Sequence, residues 1–256
     1  MKQLTPYIKE TFLTKSNIHS ISNVYKYHPK TLEELISIIT KLIQDNGAKC
    51  DLNCIDVSNI TTMENLFNTD TLRHFNGNIS EWDVSNVENM SYMFAYSHFN
   101  GDISEWDVSN VQYMSWMFKD SEFNGNISNW DVRNVIDMEG MFKFANFKHS
   151  ISKWDVSHVE NMSNMFYGSK FNGDLSKWDV SHVEDMENMF RSADFNGDIS
   201  MWDVSNVRNM QCMFRYSTYF KQNLDKWQIN DQCNIDFMFK NCTTMLDILP
   251  KWYKKW

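Results

Sequence analysis

A tryptophan recurs every 24 residues through most of this 256-residue chain. Trp82, Trp106, Trp130, Trp154, Trp178 and Trp202 keep that spacing, and Trp227 follows after 25. A fixed short period means that one small unit is stacked on copies of itself, because a unit of this size cannot bury its own apolar face. An earlier copy begins at Ile55, 27 residues before Trp82, where NTDTLRH lengthens one loop by three. Eight copies then occupy residues 55–245.

Each stretch of a unit such as WDVSNVENMSYMFAYSHFNGDISE has its own pattern. ISEWDV alternates, with Trp106 and Val108 facing one way and Glu105 and Asp107 the other, which predicts a short strand. Stacked units would align these strands as a parallel ladder about 4.8 Å apart. SNVENMSYMF sets Val87, Met90, Met93 and Phe94 at helical spacing. Ser85 precedes it with Glu88 three residues on, a capping-box pattern that predicts one short helix or 3₁₀ turn per unit. Ser157 with Glu160 and Ser181 with Glu184 repeat the box, Ser109 with Gln112 is a milder form, and Arg133 breaks it. FNG supplies a core Phe and a Gly for a tight return turn. Gly77, Gly101, Gly125, Gly173 and Gly197 hold that place, and His149 replaces Gly once. Fourteen of the 17 methionines fall in two columns, which suits gap-filling in a core better than a thioether metal array.

The phrase FNGDISEWDVSNV followed by ENMSYMF resembles the BspA-like leucine-rich-repeat family, over residues 50–245. YHPKTLEELISIITKLIQDNG resembles the helical lead-in of such repeats. The resemblance implies a non-catalytic solenoid used for adhesion or protein binding, of the kind found in bacterial surface proteins and lipoproteins and in proteins of large viruses and phages. It brings no catalytic residues with it. The expected fold class is therefore α/β, a leucine-rich-repeat-like right-handed solenoid of about eight 24-residue coils with a parallel strand ladder and a helical N-terminal cap. The expected organisation is an N-terminal arm (1–28), a helical N-cap (29–54), the repeat solenoid (55–245) and a C-terminal cap and tail (246–256).

The ends carry their own signals. Thr31 can cap a helix, with Glu34 three residues later. Leu32, Leu35, Ile36, Ile39, Leu42 and Ile43 form one apolar stripe, and Gly47 is a stop. Upstream, Leu4, Tyr7, Ile8, Phe12 and Leu13 suggest a packing or attachment arm. Leu246, Ile248, Leu249 and Trp252 are expected to seal the last coil.

Net charge is −9 and uneven. Residues 1–50 and the last seven residues each sum to +3, so the body from 51 to 249 carries −15. That body is a poor partner for nucleic acid. No apolar run approaches a membrane span of about 20 residues. MKQLTPYIKETF lacks the apolar stretch of a leader, so the expectation is a cytoplasmic or particle-associated protein. Five cysteines, few and odd in number, argue against a disulfide scaffold.

The candidate binding surface is a column of aspartates: Asp56, Asp83, Asp107, Asp131, Asp155, Asp179 and Asp203. Aligned like charges repel and raise some pKa values. Two roles offset that cost. Each Asp can accept hydrogen bonds from a neighbouring Ser or amide, or the column can form an acidic face for a basic protein or for cations. Specificity would come from positions that vary between repeats: Glu81, Glu105, Asn129, Lys153, Lys177 and Met201 before each Trp, and Tyr92, Trp116, Gly140, Asn164, Asn188 and Cys212 in the helical stretch. Asp102, Asp174 and Asp198 lie in turns without the dense acidic spacing of calcium loops. Cys50 and Cys54 lack a second pair for zinc. Cys212 and Cys242 read as small core fillers, and His158 and His182 as exposed helix residues. No P-loop, dinucleotide glycine pattern or GxSxG is present, so neither a catalytic site nor a metal or cofactor is expected. The function expected is protein–protein recognition or adhesion through the acidic strand face, with self-assembly possible. The alternative is a structural component of a phage or viral particle. A third class, carbohydrate binding, would use exposed aromatics such as Trp116.

Overall fold

The structure is a computed structural model, and it describes residues 25–253. The arm expected before residue 25 lies outside the described residues. Among the described residues one helix, α1 (Leu32–Asn46), precedes the repeats, and one 3₁₀ turn, Thr243–Met245, follows them. Between these, the backbone is a succession of tight turns held to the neighbouring repeats.

Parallel pairing joins equivalent residues of successive repeats: Thr62, Asn89, Tyr113, Asp137, Asn161, Asp185, Asn209 and Asn234. The ladder therefore runs through the stretch expected to be helical, seven residues beyond each Trp. Amides there bond between repeats instead of along a helix. Met90 N donates to Tyr113 O (2.9 Å), Tyr92 N to Ser115 O (2.8 Å), Phe94 N to Met117 O (2.9 Å) and Tyr96 N to Lys119 O (2.8 Å). The apparent capping serine points elsewhere, since Ser85 Oγ donates to Asp83 Oδ1 (2.6 Å). The expected strand at ISEWDV is also corrected. Trp106 N donates to Ile103 O and Val111 N to Val108 O, so this segment is two consecutive turns. Both patterns in the sequence are real patterns of burial: Ile103, Trp106, Val108, Val111, Met114, Met117 and Phe118 all lie inside. A turn that sends its first and last residues inward produces such spacings without a regular element.

Two columns of residues have left-handed backbone. Asn65, Tyr92, Trp116, Gly140, Asn164, Asn188, Cys212 and Phe237 form one, and Tyr96, Asp120, Phe144, Gly168, Ser192, Tyr216 and Asn241 the other. Tyr92 is the third residue of the turn closed by Met93 N to Met90 O, the place where a type II turn requires positive φ. Each non-glycine residue there costs about 1–2 kcal/mol. The inter-repeat hydrogen bonds and the buried Met and Phe on either side hold the strain in place.

Inside, side chains stack in columns. Phe67, Phe94, Phe118, Phe142, Phe166, Phe190, Phe214 and Phe239 lie nearly parallel, with neighbouring centroids 5.4–5.8 Å apart. A second column starts Phe75, Phe99, Phe123. Every indole of the Trp column is buried and donates its Nε1–H to a carbonyl of the preceding repeat, as Trp106 does to Ile79 and Trp154 to Ile127. Burying an indole demands such a partner.

Asparagine side chains add two more rungs. Asn86, Asn110, Asn134 and Asn206 donate through Nδ2 to a serine carbonyl one repeat earlier. His158 and His182 occupy the same position, are exposed, and make no such bond. Asn76 Oδ1 accepts from Asn100 N, and Asn100 Oδ1 from Asn124 N. The glycine after this asparagine serves close approach: a Cβ on Gly125 would sit 2.8 Å from the Phe123 ring, and its φ is not left-handed. The expected role in a tight return turn is corrected accordingly.

At the N-terminal end, Thr31 Oγ1 caps α1 by accepting from Glu34 N (3.3 Å), and Gly47 closes it with φ 85°. Leu35 and Ile39 are fully buried in the core that continues through the repeats. At the other end Trp252 takes the next place in the Trp column. It stacks on Trp227 at 6.4 Å and donates Nε1–H to Leu224 O. Leu249 also packs on the core, whereas Leu246 (65% exposed) and Ile248 (43%) do not join the seal.

Gly125→Ala is expected to destabilise the fold by roughly 1–3 kcal/mol, the cost of overpacking a filled site. His182→Asn restores a donor to Ser157 O and is expected to stabilise by about 0.5–1.5 kcal/mol. Thermal and denaturant unfolding followed by circular dichroism check both signs.

Candidate functional site

Each column aspartate sits on the turn between a buried Trp (Ile55 at Asp56) and a buried Val, so its backbone is fixed from both sides. Its Oδ1 accepts from the amide two residues on, at 3.0–3.3 Å throughout the column from Asp56 to Asp203. At Asp56, Asp83, Asp107, Asp155 and Asp203 the same oxygen also accepts the serine hydroxyl, at 2.6–2.7 Å. Where Arg133 replaces Ser, its Nε donates to Asp131 Oδ1 at 2.8 Å. This is a turn closed by a side chain, repeated once per coil.

The second carboxylate oxygen is not used in this way. Asp56 Oδ2 bonds His28 Nδ1 at 3.1 Å. From Asp83 to Asp203, Oδ2 accepts no hydrogen bond among the described residues, and these carboxylates lie at or near the surface. The serine hydroxyl and then the serine amide hold Asp155, Asp179 and Asp203 below the usual carboxylate range. The upward shift expected from mutual repulsion is therefore corrected at these three: local hydrogen bonding outweighs the neighbouring charge, although Asp155 does push Asp179 upward.

The remaining candidates take plain structural places. Asp102, Asp174 and Asp198 accept from Ser104, Ser176 and Ser200 N, the same turn five residues earlier in each repeat. All five cysteines are free thiols. Cys212 and Cys242 are buried, and Cys242 Sγ donates to Ser217 O. Burial pushes the Cys233 thiol up to about 11, which disfavours the thiolate a metal would need. Among the described residues no group of three or more His, Cys, Asp or Glu is placed to hold a metal ion. The varying residues Tyr92, Trp116, Gly140, Asn164, Asn188 and Cys212 are the first left-handed column, which explains their drift toward Asn and Gly. Trp116 is not an open stacking platform, because Tyr92 stacks on it at 6.0 Å and a Cβ on Gly140 would fall 2.2 Å from its ring.

The surface that sequence reading missed lies beside these left-handed residues. Lys119, Lys143, Tyr167, Arg191, Arg215 and Lys240 occupy one position in six successive repeats, directly after a Met-Phe pair, where the two preceding repeats have Asn68 and Ala95. Their cations lie over aromatic rings: Lys119 over Tyr96 (4.8 Å) and Trp116 (5.1 Å), Lys143 over Trp116 (5.1 Å) and Tyr167 (4.7 Å), Arg191 over Tyr167 (5.0 Å), Arg215 over Tyr216 (5.0 Å) and Lys240 over Phe237 (4.8 Å). Aligning the repeats on Met-Phe shows the column directly.

A family model described as "Mycoplasma protein of unknown function, DUF285" matches residues 37–148 and again 143–252. The chain belongs to this family. The two tandem matches agree with a chain built from repeats. Comparison with curated proteins and with solved structures gives no match. No helix among the described residues is long and apolar enough to cross a membrane.

Asp155→Ala removes the turn acceptor and is expected to cost about 0.5–2 kcal/mol, as loss of a helix N-cap does, while Asp155→Asn retains the fold. The pH dependence has a definite sign. Carboxylates whose folded pKa is depressed contribute stability above their unfolded pKa of about 3.9 and lose it as pH falls through the folded value. Acid unfolding is therefore expected to be less steep below about pH 4 in a D155N/D179N/D203N variant than in the parent. Unfolding midpoints measured across pH 2–7 check this.

Proposed function

We propose that this chain is a non-catalytic recognition scaffold, a leucine-rich-repeat-like solenoid akin to the BspA-like repeats, which binds a basic protein partner through the aspartate column. The observation that carries this reading is the division of labour within each carboxylate. One oxygen is spent on the turn, and the other is left outward in six successive repeats from Asp83 to Asp203. A charged group fixed by its own backbone loses little freedom on binding, and such pre-organisation favours affinity. Repetition at one spacing lets several modest contacts act together. Around the column, Glu81, Glu105, Lys153, Lys177 and Met201 differ from repeat to repeat and are exposed, which supplies discrimination between partners.

The test is affinity capture from the native source with the intact chain and with a D107N/D131N/D155N variant. Asn keeps the turn acceptor and removes the charge. The expected result is a salt-sensitive partner captured by the parent and lost by the variant. Equal capture by both would move recognition away from this column.

A further inference from the structure

Among the described residues, the column of cations on the ladder side has no carboxylate paired to it. The ion pairs among the described residues involve His28, Arg73, Arg133, Arg208 and Lys251, and none involves Lys119, Lys143, Arg191, Arg215 or Lys240. Aromatic rings take the place of carboxylates. The Nε atoms of Arg191 and Arg215 are buried without an acceptor. Acidic neighbours exist, and Glu139 acts on Lys143, but no carboxylate comes within ion-pair distance of the column.

The spacing of these cations is set by the stack itself. A cation stands at this position in five of the six repeats from Lys119 to Lys240, with Tyr167 in the gap, and an aspartate of the other column stands in each repeat from Asp56 to Asp203. Asp107 and Lys119, Asp131 and Lys143, Asp179 and Arg191, and Asp203 and Arg215 are each twelve residues apart, half of a 24-residue repeat. These four units therefore each offer a fixed carboxylate at one point of their course and a cation half a repeat away.

We infer that the cation column receives the aspartate column of a second copy of this chain, side by side and in register over several repeats. Two copies share one repeat spacing by construction, so a match at one coil carries to its neighbours, with Tyr167 the one coil of the column that offers no cation. A nucleic-acid strand does not have this property. In a duplex the phosphates of one strand rise about 3.4 Å along the helix axis and wind around it, against a straight spacing of about 4.8 Å between paired backbones. Each exposed ion pair contributes little alone. A row of them, tied together by the two stacks, adds as multivalent contacts do. Because the donor and acceptor columns are different surfaces, the contact is heterologous and does not close on itself, so copies add in a row. This inference rests on reading the aspartate column as a recognition surface, and it names the partner.

Sedimentation velocity of the full chain over a range of concentrations tests it. Two variants are used, D107N/D131N/D155N/D179N and K119Q/K143Q/R191Q/R215Q, each first shown to be folded by circular dichroism. The parent is expected to form concentration-dependent species larger than a dimer near physiological salt and to become monomeric in about 1 M salt, where charges are screened within about 3 Å. Each variant alone is expected to be monomeric. Their mixture is expected to give a 1:1 dimer that grows no further, since only one matched pair of faces remains. A parent that stays monomeric at every concentration, or a variant that assembles as the parent does, overturns the inference. Should a variant fail to fold, the parent's concentration and salt dependence still decides. A monomeric parent whose captured partner still depends on the aspartates would defeat self-pairing and leave the recognition reading standing.

Discussion

The backbone amide is the group on which this architecture depends. In a helix it is satisfied four residues away, and in a wide sheet by a long strand alongside. Here the turns are too tight and too short for either, so the amides of residues 90, 92, 94 and 96 reach into the next repeat. No repeat can satisfy these groups by itself, and an unpaired buried amide costs about as much as a lost hydrogen bond. The repeats therefore hold one another, and the side-chain columns follow from that. Once backbones are pinned in register, identical residues lie over one another, and flat rings are the shapes that stack best. The indole is the strictest case, since its N–H must find a carbonyl, and the preceding repeat supplies one at every step from Trp82 to Trp252.

Much of the organisation was legible in the sequence. The period, the copies, the buried positions, the capped helix before the repeats and the filling roles of Met, Cys212 and Cys242 all follow from spacing and burial chemistry. The local conformation was not legible, for a physical reason. Val87, Met90, Met93 and Phe94 face inward at intervals of three and one, a spacing that a helix shares with a run of turns. Pattern alone does not separate them. The deciding signal is the position of Asn65, Asn164, Asn188 and Gly140, residues that tolerate left-handed backbone, yet Tyr92 and Trp116 at the same place obscure it. The Trp–Asp segment misled in the same way, because alternate burial arises from turns as well as from strands.

The aspartate column illustrates how one residue serves two levels of the structure. Serine two residues on explains why Asp is used at the turn, but Asn would serve there equally well and does so at Asn78 and Asn126 of the other turn. The column keeps a carboxylate instead, and under the proposed function that charge is what a partner meets. The cations on the ladder side show the converse. Aromatic rings flank them without neutralising them, and burial first, then the charges of Lys119 and Arg191, hold Lys143 below the usual lysine range.

The asparagine rungs are not continuous. His158 and His182 interrupt one, Lys148 interrupts the other, and His149 stands where glycine admits the Phe ring. These four changes fall within residues 148–182, and Lys221, Gln222 and Asp231 make further ones in the last repeat. A stack secured by many parallel rungs behaves under load like a laced seam, which parts where consecutive stitches are missing. Pulled from its ends, this molecule would extend first in that stretch or in the last repeat, leaving the fully laced repeats before it intact.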